Sequence, residues 1–183
     1  MASCKLAVED LFAYAFNKLK IENHGFVQSA DPSRVERSLR YKLDQFLSAK
    51  RSPELEELIH NFSSLYIVSE EELEEVARAT FQDGSSVSWG RILAFIGFTF
   101  LVAKLAVKSD DQRFAKQCAR WLSRLLDTWL SPWIRANGGW SGFVKMIDWE
   151  KKVKKVKRVT AVTLFMGVFG VFWFIRELVC GGG

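Results

Sequence analysis

Arg91 stands in the first turn of an apolar run, Trp89-Gly90-Arg91-Ile-Leu-Ala-Phe95. That is the wrong end of a helix for a cation, because helix N-termini carry partial positive charge. Gly90 beside it is a poor helix former, costing ~1 kcal/mol relative to alanine. Two locally unfavourable choices in succession imply that something approaches this backbone closely and brings a negative charge. That is the pattern of a peptide-binding groove, which takes apolar anchors from an amphipathic helix and uses a few charges to fix register. Arg91 would then pair with a ligand carboxylate through charge-assisted hydrogen bonds. On the residues alone, an internal salt bridge or a solvent-facing side chain is the competing reading. A second segment, Trp133-Ile-Arg-Ala-Asn-Gly-Gly-Trp-Ser-Gly-Phe-Val144, has less overt chemistry. Gly138 and Gly139 read as a hinge between helices, and Trp140 as core.

Bond-making chemistry is hard to assemble from the remaining residues. His24 lies in a loop and His60 in an amphipathic segment, and neither completes a Ser/His/Asp or Cys/His arrangement. The acids of Glu70–Glu75 read as a solvated helix face. Cys4, Cys118 and Cys180 are far apart, with no metal-ligand spacing, and suit a reducing compartment. No enzyme activity, metal or cofactor is expected. The net charge of +5 is a local feature: six basic residues and no acid lie between Lys151 and Arg158, leaving 20 basic against 21 acidic groups elsewhere. A nucleic-acid-binding protein would spread its basic residues over a folded face, so no nucleic acid is expected as partner.

The elements that must position these residues are helical throughout. Leu6, Ala7, Leu11, Tyr14, Ala15 and Leu19 give a helix over 6–20. Pro32 or Ser33 opens the next, with Val35, Leu39, Leu43 and Phe46/Leu47 as its stripe to about Ala49. A short helix follows from Ser52-Pro53-Glu54, carrying Leu55, Leu58, Ile59 and Phe62. Ser69 and Glu72 fit a capping box for a helix carrying Leu73, Val76, Ala77 and Phe81. Asp83-Gly84-Ser85-Ser86 is a turn. Arg91 and Lys104 bound twelve uncharged residues, hydrophobic all round and so expected at the centre of the fold. At ~18 Å this run falls short of a bilayer's ~30 Å. Its partner spans about Asp111 to Leu130. Pro132 starts a short helix that ends at Asn137-Gly138-Gly139, and Trp140–Trp149 form one more.

The end of the chain differs in kind. Val159–Ile175 is seventeen residues without charge, near the lower limit for a membrane span, and Arg176 can snorkel to extend it. Behind a basic flank this reads as a tail anchor with the folded domain left in the cytosol. An unusually apolar core helix and an interfacial helix are the alternatives, but 159–175 has no polar face to lie on a surface. The organisation is thus a helical domain over 1–149, a basic juxtamembrane flank over 150–158 and a transmembrane anchor over 159–178.

The segments Phe81-Gln-Asp-Gly…Trp89-Gly-Arg-Ile-Leu-Ala-Phe95 and Trp133–Val144 resemble, in order, the first and second homology motifs of the Bcl-2 family of apoptosis regulators. The resemblance extends to the helix order, the central apolar helix and the basic-flanked tail. It implies an all-α Bcl-2-like helical bundle around a buried central helix, plus a C-terminal transmembrane helix. It also implies a groove for the BH3 helices of pro-apoptotic relatives, lined by Phe46, Val76, Thr80, Val87, Leu93, Ala94, Phe98 and Ile147. Ser88, Gly90 and Arg91 would make its polar contacts. The family carries asparagine where Ser88 stands, and Ser85-Ser86 lengthens the preceding turn. Serine still suits a helix cap.

The third homology motif, BH3, aligns with Leu39-Arg-Tyr-Lys-Leu-Asp44-Gln-Phe46. The family's ligand helices place an apolar residue where Lys42 stands and a small one where Leu43 stands. In another member's groove Leu43 would clash and Lys42 would bury a charge or swing out. The resemblance therefore implies a pro-survival protein that sequesters BH3 helices and blocks mitochondrial outer-membrane permeabilisation. A pore-forming effector of the same family, inserting the hairpin at about 88–130, is the alternative, and an enzyme or transporter subunit is the rival from a different class. The tail implies anchoring in the mitochondrial outer membrane, with the endoplasmic reticulum as the other candidate.

Overall fold

The computed structural model describes residues 4–48, 57, 69–81 and 87–156. The expected short helix near 53–62, Glu57 apart, the turn at 83–86 and the anchor at 159–178 lie outside the described residues. Seven helices are described: α1 (Cys4–Lys18), α2 (Arg34–Leu47), α3 (Glu70–Phe81), α4 (Trp89–Lys108), α5 (Gln112–Thr128), α6 (Ser131–Ala136) and α7 (Gly139–Val156). Among the described residues there is no strand.

Helix starts follow the side-chain chemistry. Ser33 caps α2 in a capping box, its Oγ accepting from the Glu36 N–H at 3.2 Å while Glu36 accepts from the Ser33 N–H. Ser69 and Glu72 make the same reciprocal pair ahead of α3, at 3.3 and 2.8 Å. Each such cap satisfies amides that would otherwise have no intrahelical partner. Asp111 accepts from the Phe114 N–H at 2.9 Å and starts α5 only three residues beyond the end of α4. That tight turn, with Asp110 at φ 62°, folds α5 back along α4.

α4 is the axis of the bundle. It packs against α5, α2 and α3, while α1 closes the other side against α5 and α2. Phe12 and Phe16 of α1 meet Phe100 of α4 at ring separations of 5.3 and 5.0 Å. Ile92, Phe95, Ile96, Phe100, Leu101, Ala103 and Val107 of α4 are all buried. Two sequence expectations change here. The central helix is 20 residues long, ~30 Å at 1.5 Å per residue, long enough for a bilayer; burial, not shortness, marks it as a core helix. And α7 does not end at Trp149 but runs unbroken to Val156, since lysine is a good helix former. The helix thus continues into the basic stretch.

Candidate functional site

Ser88 is the N-cap of α4, and its Oγ accepts from the Arg91 N–H at 3.3 Å. The cap leaves the Arg91 side chain free to reach sideways to α3, where Nη1 donates to the Thr80 carbonyl at 3.5 Å. Thr80 lies in the last turn of α3, the end where carbonyls lack intrahelical partners and the helix dipole is negative. So the misplaced cation at one helix start is partly compensated by a neighbouring helix end. The contact is long enough to be weak, and among the described residues no carboxylate pairs with Arg91. The internal salt bridge that competed with the groove reading is not found there.

Around this guanidinium the expected groove residues fall into two groups. Phe46, Val76, Val87, Gly90, Leu93, Ala94 and Phe98 are half-buried, and Ser88 is exposed. Arg91, Ala94 and Phe98 follow i, i+3, i+7 spacing and share one face of α4. Phe46 reaches that helix from α2 and lies on Gly97, where a Cβ would come within 2.6 Å of its ring. Gly97 thus admits the ring into contact with the helix backbone. A glycine inside an otherwise apolar helix is the sequence signal for such an approach, and Gly97 was not among the expected site residues. The second group is buried. Ile147 is fully buried and Thr80 is 4% exposed. Ile147 faces the bundle from α7 beside Phe143 and Val144. Thr80 turns its hydroxyl to the Val76 carbonyl at 2.7 Å. Both sit beneath the surface; neither side chain stands open on it.

The second motif buttresses the first. Trp89 lies among Trp133, Trp140 and Phe143, at ring separations of 5.1, 5.7 and 5.3 Å. Trp140 and Phe143 meet edge to face at 5.9 Å. Such pairs each contribute ~0.5–1.5 kcal/mol beyond area burial, and here they fix the start of α4 and with it Ser88, Gly90 and Arg91. The half-buried Trp133 and Trp140 are therefore supports. Gly138 and Gly139 adopt φ of 82° and 63°, the left-handed region that only glycine enters without strain, and they turn α6 into α7. Gly142, also unanticipated, matters as much. A Cβ there would lie 2.1 Å from the Asn137 carbonyl oxygen.

The BH3-like segment is committed to the bundle. Leu39 and Leu43 are each 3% exposed and face the core. Asp44 accepts from the Tyr14 hydroxyl at 2.8 Å and pairs with Lys18 at 2.6 Å. Burial first, then Asp44, raises the Tyr14 phenol, and the hydrogen bond to Asp44 raises Lys18. Arg40 grips Asp10 of α1 in a buried pair, with Nη2 2.7 Å from both carboxylate oxygens. Lys42, also buried, pairs with Glu150 of α7. Arg34 adds a surface pair with Asp148 at 2.5 Å. The lysine that spoils this segment as a ligand is thus a structural tie within its own chain.

Burial pushes the Cys118 thiol up to about 12, which removes thiolate character at neutral pH.

Comparison with known proteins agrees with this geometry. The family model for apoptosis regulator proteins of the Bcl-2 family matches residues 41–140. Human Bcl-2-like protein 1 is 38% identical over 73 residues, 40% of this chain and 30% of that protein. Its Gallus gallus counterpart is 30% identical over 131 residues, 71% of this chain and 54% of that protein. The chain thus spans between about a third and a half of these curated relatives. Among solved structures, Trichoplax adhaerens trBcl-2L2 bound to trBak BH3 aligns with a TM-score of 0.65 at 20% identity, covering 79% of this chain and 96% of that one. The zebrafish pro-survival protein NRZ in complex with Bad BH3 aligns with a TM-score of 0.62 at 21% identity, covering 78% and 90%. At these identities the structural likeness concerns the fold.

Proposed function

Because the chain belongs to the Bcl-2 family of apoptosis regulators, we propose that it is a pro-survival member that holds the BH3 helices of pro-apoptotic relatives in a surface groove. Arg91 carries this reading. It is half-buried at the junction of α3 and α4, held by one long contact to a carbonyl, with no carboxylate partner among the described residues. An incoming BH3 helix supplies an aspartate, and its apolar anchors lie over Phe46, Val76, Leu93, Ala94 and Phe98. Gly90 supports the close approach of that helix, because a Cβ there would meet only the Ser88 Oγ, at 3.8 Å. Relatives named Bcl-2-like protein 1 and apoptosis regulator Bcl-2, and neighbours solved with BH3 segments, support the same partner class.

The protein acts by binding and requires no cofactor. Residues 159–178 anchor it in the mitochondrial outer membrane, facing the cytosol, and the basic residues ahead of them set that orientation. The pore-forming alternative draws on the long apolar α4. The ion pairs that tie α2 to α1 and α7 weigh against it, since an effector must release this segment.

The two readings part in a dye-release experiment. Protein without its tail is added with an activating BH3 peptide to dye-loaded liposomes, alone and alongside a known effector. The pro-survival reading predicts no release from this protein alone and suppression of the effector's release. Release by this protein alone assigns it to the effectors.

A further inference from the structure

α7 carries a surface that neither the groove nor the bundle uses. Its inner face, Phe143, Val144 and Ile147, is buried. On the opposite face Ser141, Lys145, Trp149 and Lys152 follow each other at i, i+4, i+8 and i+11, and all four are exposed. Trp149 is 65% exposed, among the most exposed large apolar side chains described. Trp149 is thus left in water by a bundle that buries or half-buries four other tryptophans, Trp89, Trp121, Trp133 and Trp140.

The charges around it define an occupant. α7 contains two acids in this stretch, and both reach toward α2: Asp148 pairs with Arg34 at the surface and Glu150 with the buried Lys42. Lys145, Lys151 and Lys152 pair with no carboxylate among the described residues, and Lys151 rests over the Tyr41 ring at 4.4 Å. The outer side of α7 is therefore positive, with an indole at its centre, and the sequence continues with Lys154, Lys155, Lys157 and Arg158. An indole flanked by lysines suits the headgroup layer of a bilayer, where tryptophan concentrates and anionic lipids attract nearby lysines.

We propose that the outer face of α7 is a docking site for an anionic lipid surface, with Trp149 as its interfacial anchor and Lys145 and Lys152 as its headgroup contacts. The surface is a property of the folded bundle and does not require the apolar tail. It lays α7 along the membrane instead of standing it upright. A straight helical continuation to Val159 would hold Trp149 ~15 Å above the start of the apolar segment, beyond a headgroup layer of ~5–8 Å.

The test uses the full chain on vesicles of phosphatidylcholine, alone or mixed with phosphatidylserine, containing acyl-brominated lipid that quenches tryptophan on contact. Wild type and W149F are compared, with flotation reporting separately whether the tail anchors the chain. A quenched component present in wild type, absent in W149F, dependent on anionic lipid and reduced by high salt is the expected result. Each lysine near an anionic leaflet is worth about fivefold in docking, so K145E/K152E should lose that component while still floating and keeping its urea midpoint. Equal quenching of wild type and W149F, or quenching as strong on neutral vesicles, overturns the proposal. So does protection of Trp149 from aqueous iodide without quenching by lipid, which assigns this face to a protein contact.

Discussion

A guanidinium has five N–H donors, and at Arg91 one of them makes a single 3.5 Å contact. The spare capacity was legible in the sequence as a cation at the wrong helix end; that it leans on the Thr80 carbonyl was not, because the approach of α3 to α4 is a tertiary fact. Gly142 shows the same limit. Its motif was visible, but the reason for a glycine, a carbonyl 2.1 Å from a would-be Cβ, depends on how α6 turns into α7. Gly142→Ala should gain ~1 kcal/mol of helix propensity and lose more through overpacking, leaving the protein ~1–2 kcal/mol less stable in urea unfolding. Insensitivity to this change would mean that the turn relaxes. His24 makes a pH prediction. It accepts from the Phe26 N–H at Nδ1, 3.1 Å, and its Nε2 lies 2.9 Å from the Asn17 Oδ1, so the ring is neutral with its proton on Nε2. It stacks on Phe16 at 5.1 Å, and burial lowers its pKa below 6.5. The unfolded chain then binds the proton more readily than the folded one. Stability from this site is complete above pH 6.5 and falls as the pH drops through 6.5 toward the folded value. The urea midpoint should therefore drop between pH 7.5 and 5.5, and by less in His24→Gln.

Among the elements, the capped starts of α2 and α3 and the all-apolar α4 could be read directly, because caps and periodicity are local. The ties of α2 could not. Lys42 and Glu150 are 108 positions apart, Arg40 and Asp10 thirty, and nothing local marks a lysine as buried. Lys42 could be read only as a flaw in a ligand helix; the fold makes it the partner of α7. Removing one member of a buried pair leaves an uncompensated charge. Glu150→Ala should therefore destabilise by ~3–5 kcal/mol, while Lys42→Met with Glu150→Leu should be near neutral or stabilising. A double-mutant cycle by urea denaturation checks this. Additive single effects would show that the pair is not coupled. The same residues explain why α7 passes Trp149: Glu150 is needed against α2, so the helix cannot stop before it.

For the molecule as a whole, the second motif supports the first and the first presents the site. Trp133, Trp140 and Phe143 hold Trp89, which sets the start of α4, and Ser88 caps that helix so that Arg91 can turn toward α3. The helical class and the central helix were legible in the sequence, and Phe46, Val76, Val87, Leu93, Ala94 and Phe98, expected from it to line a groove, are half-buried. Ile147 and Thr80, expected to line the same groove, are buried, because periodicity gives a helix face but not the depth to which neighbours cover it. The central claim is that Arg91 clamps the carboxylate of a bound BH3 helix. Its most direct test is the affinity of a synthetic BH3 peptide for wild type and for Arg91→Glu, measured by titration calorimetry. Reversal of the clamp should cost ~3–5 kcal/mol, a loss of two orders of magnitude or more in Kd, with the urea midpoint little changed. Equal affinity in the two proteins would contradict the clamp.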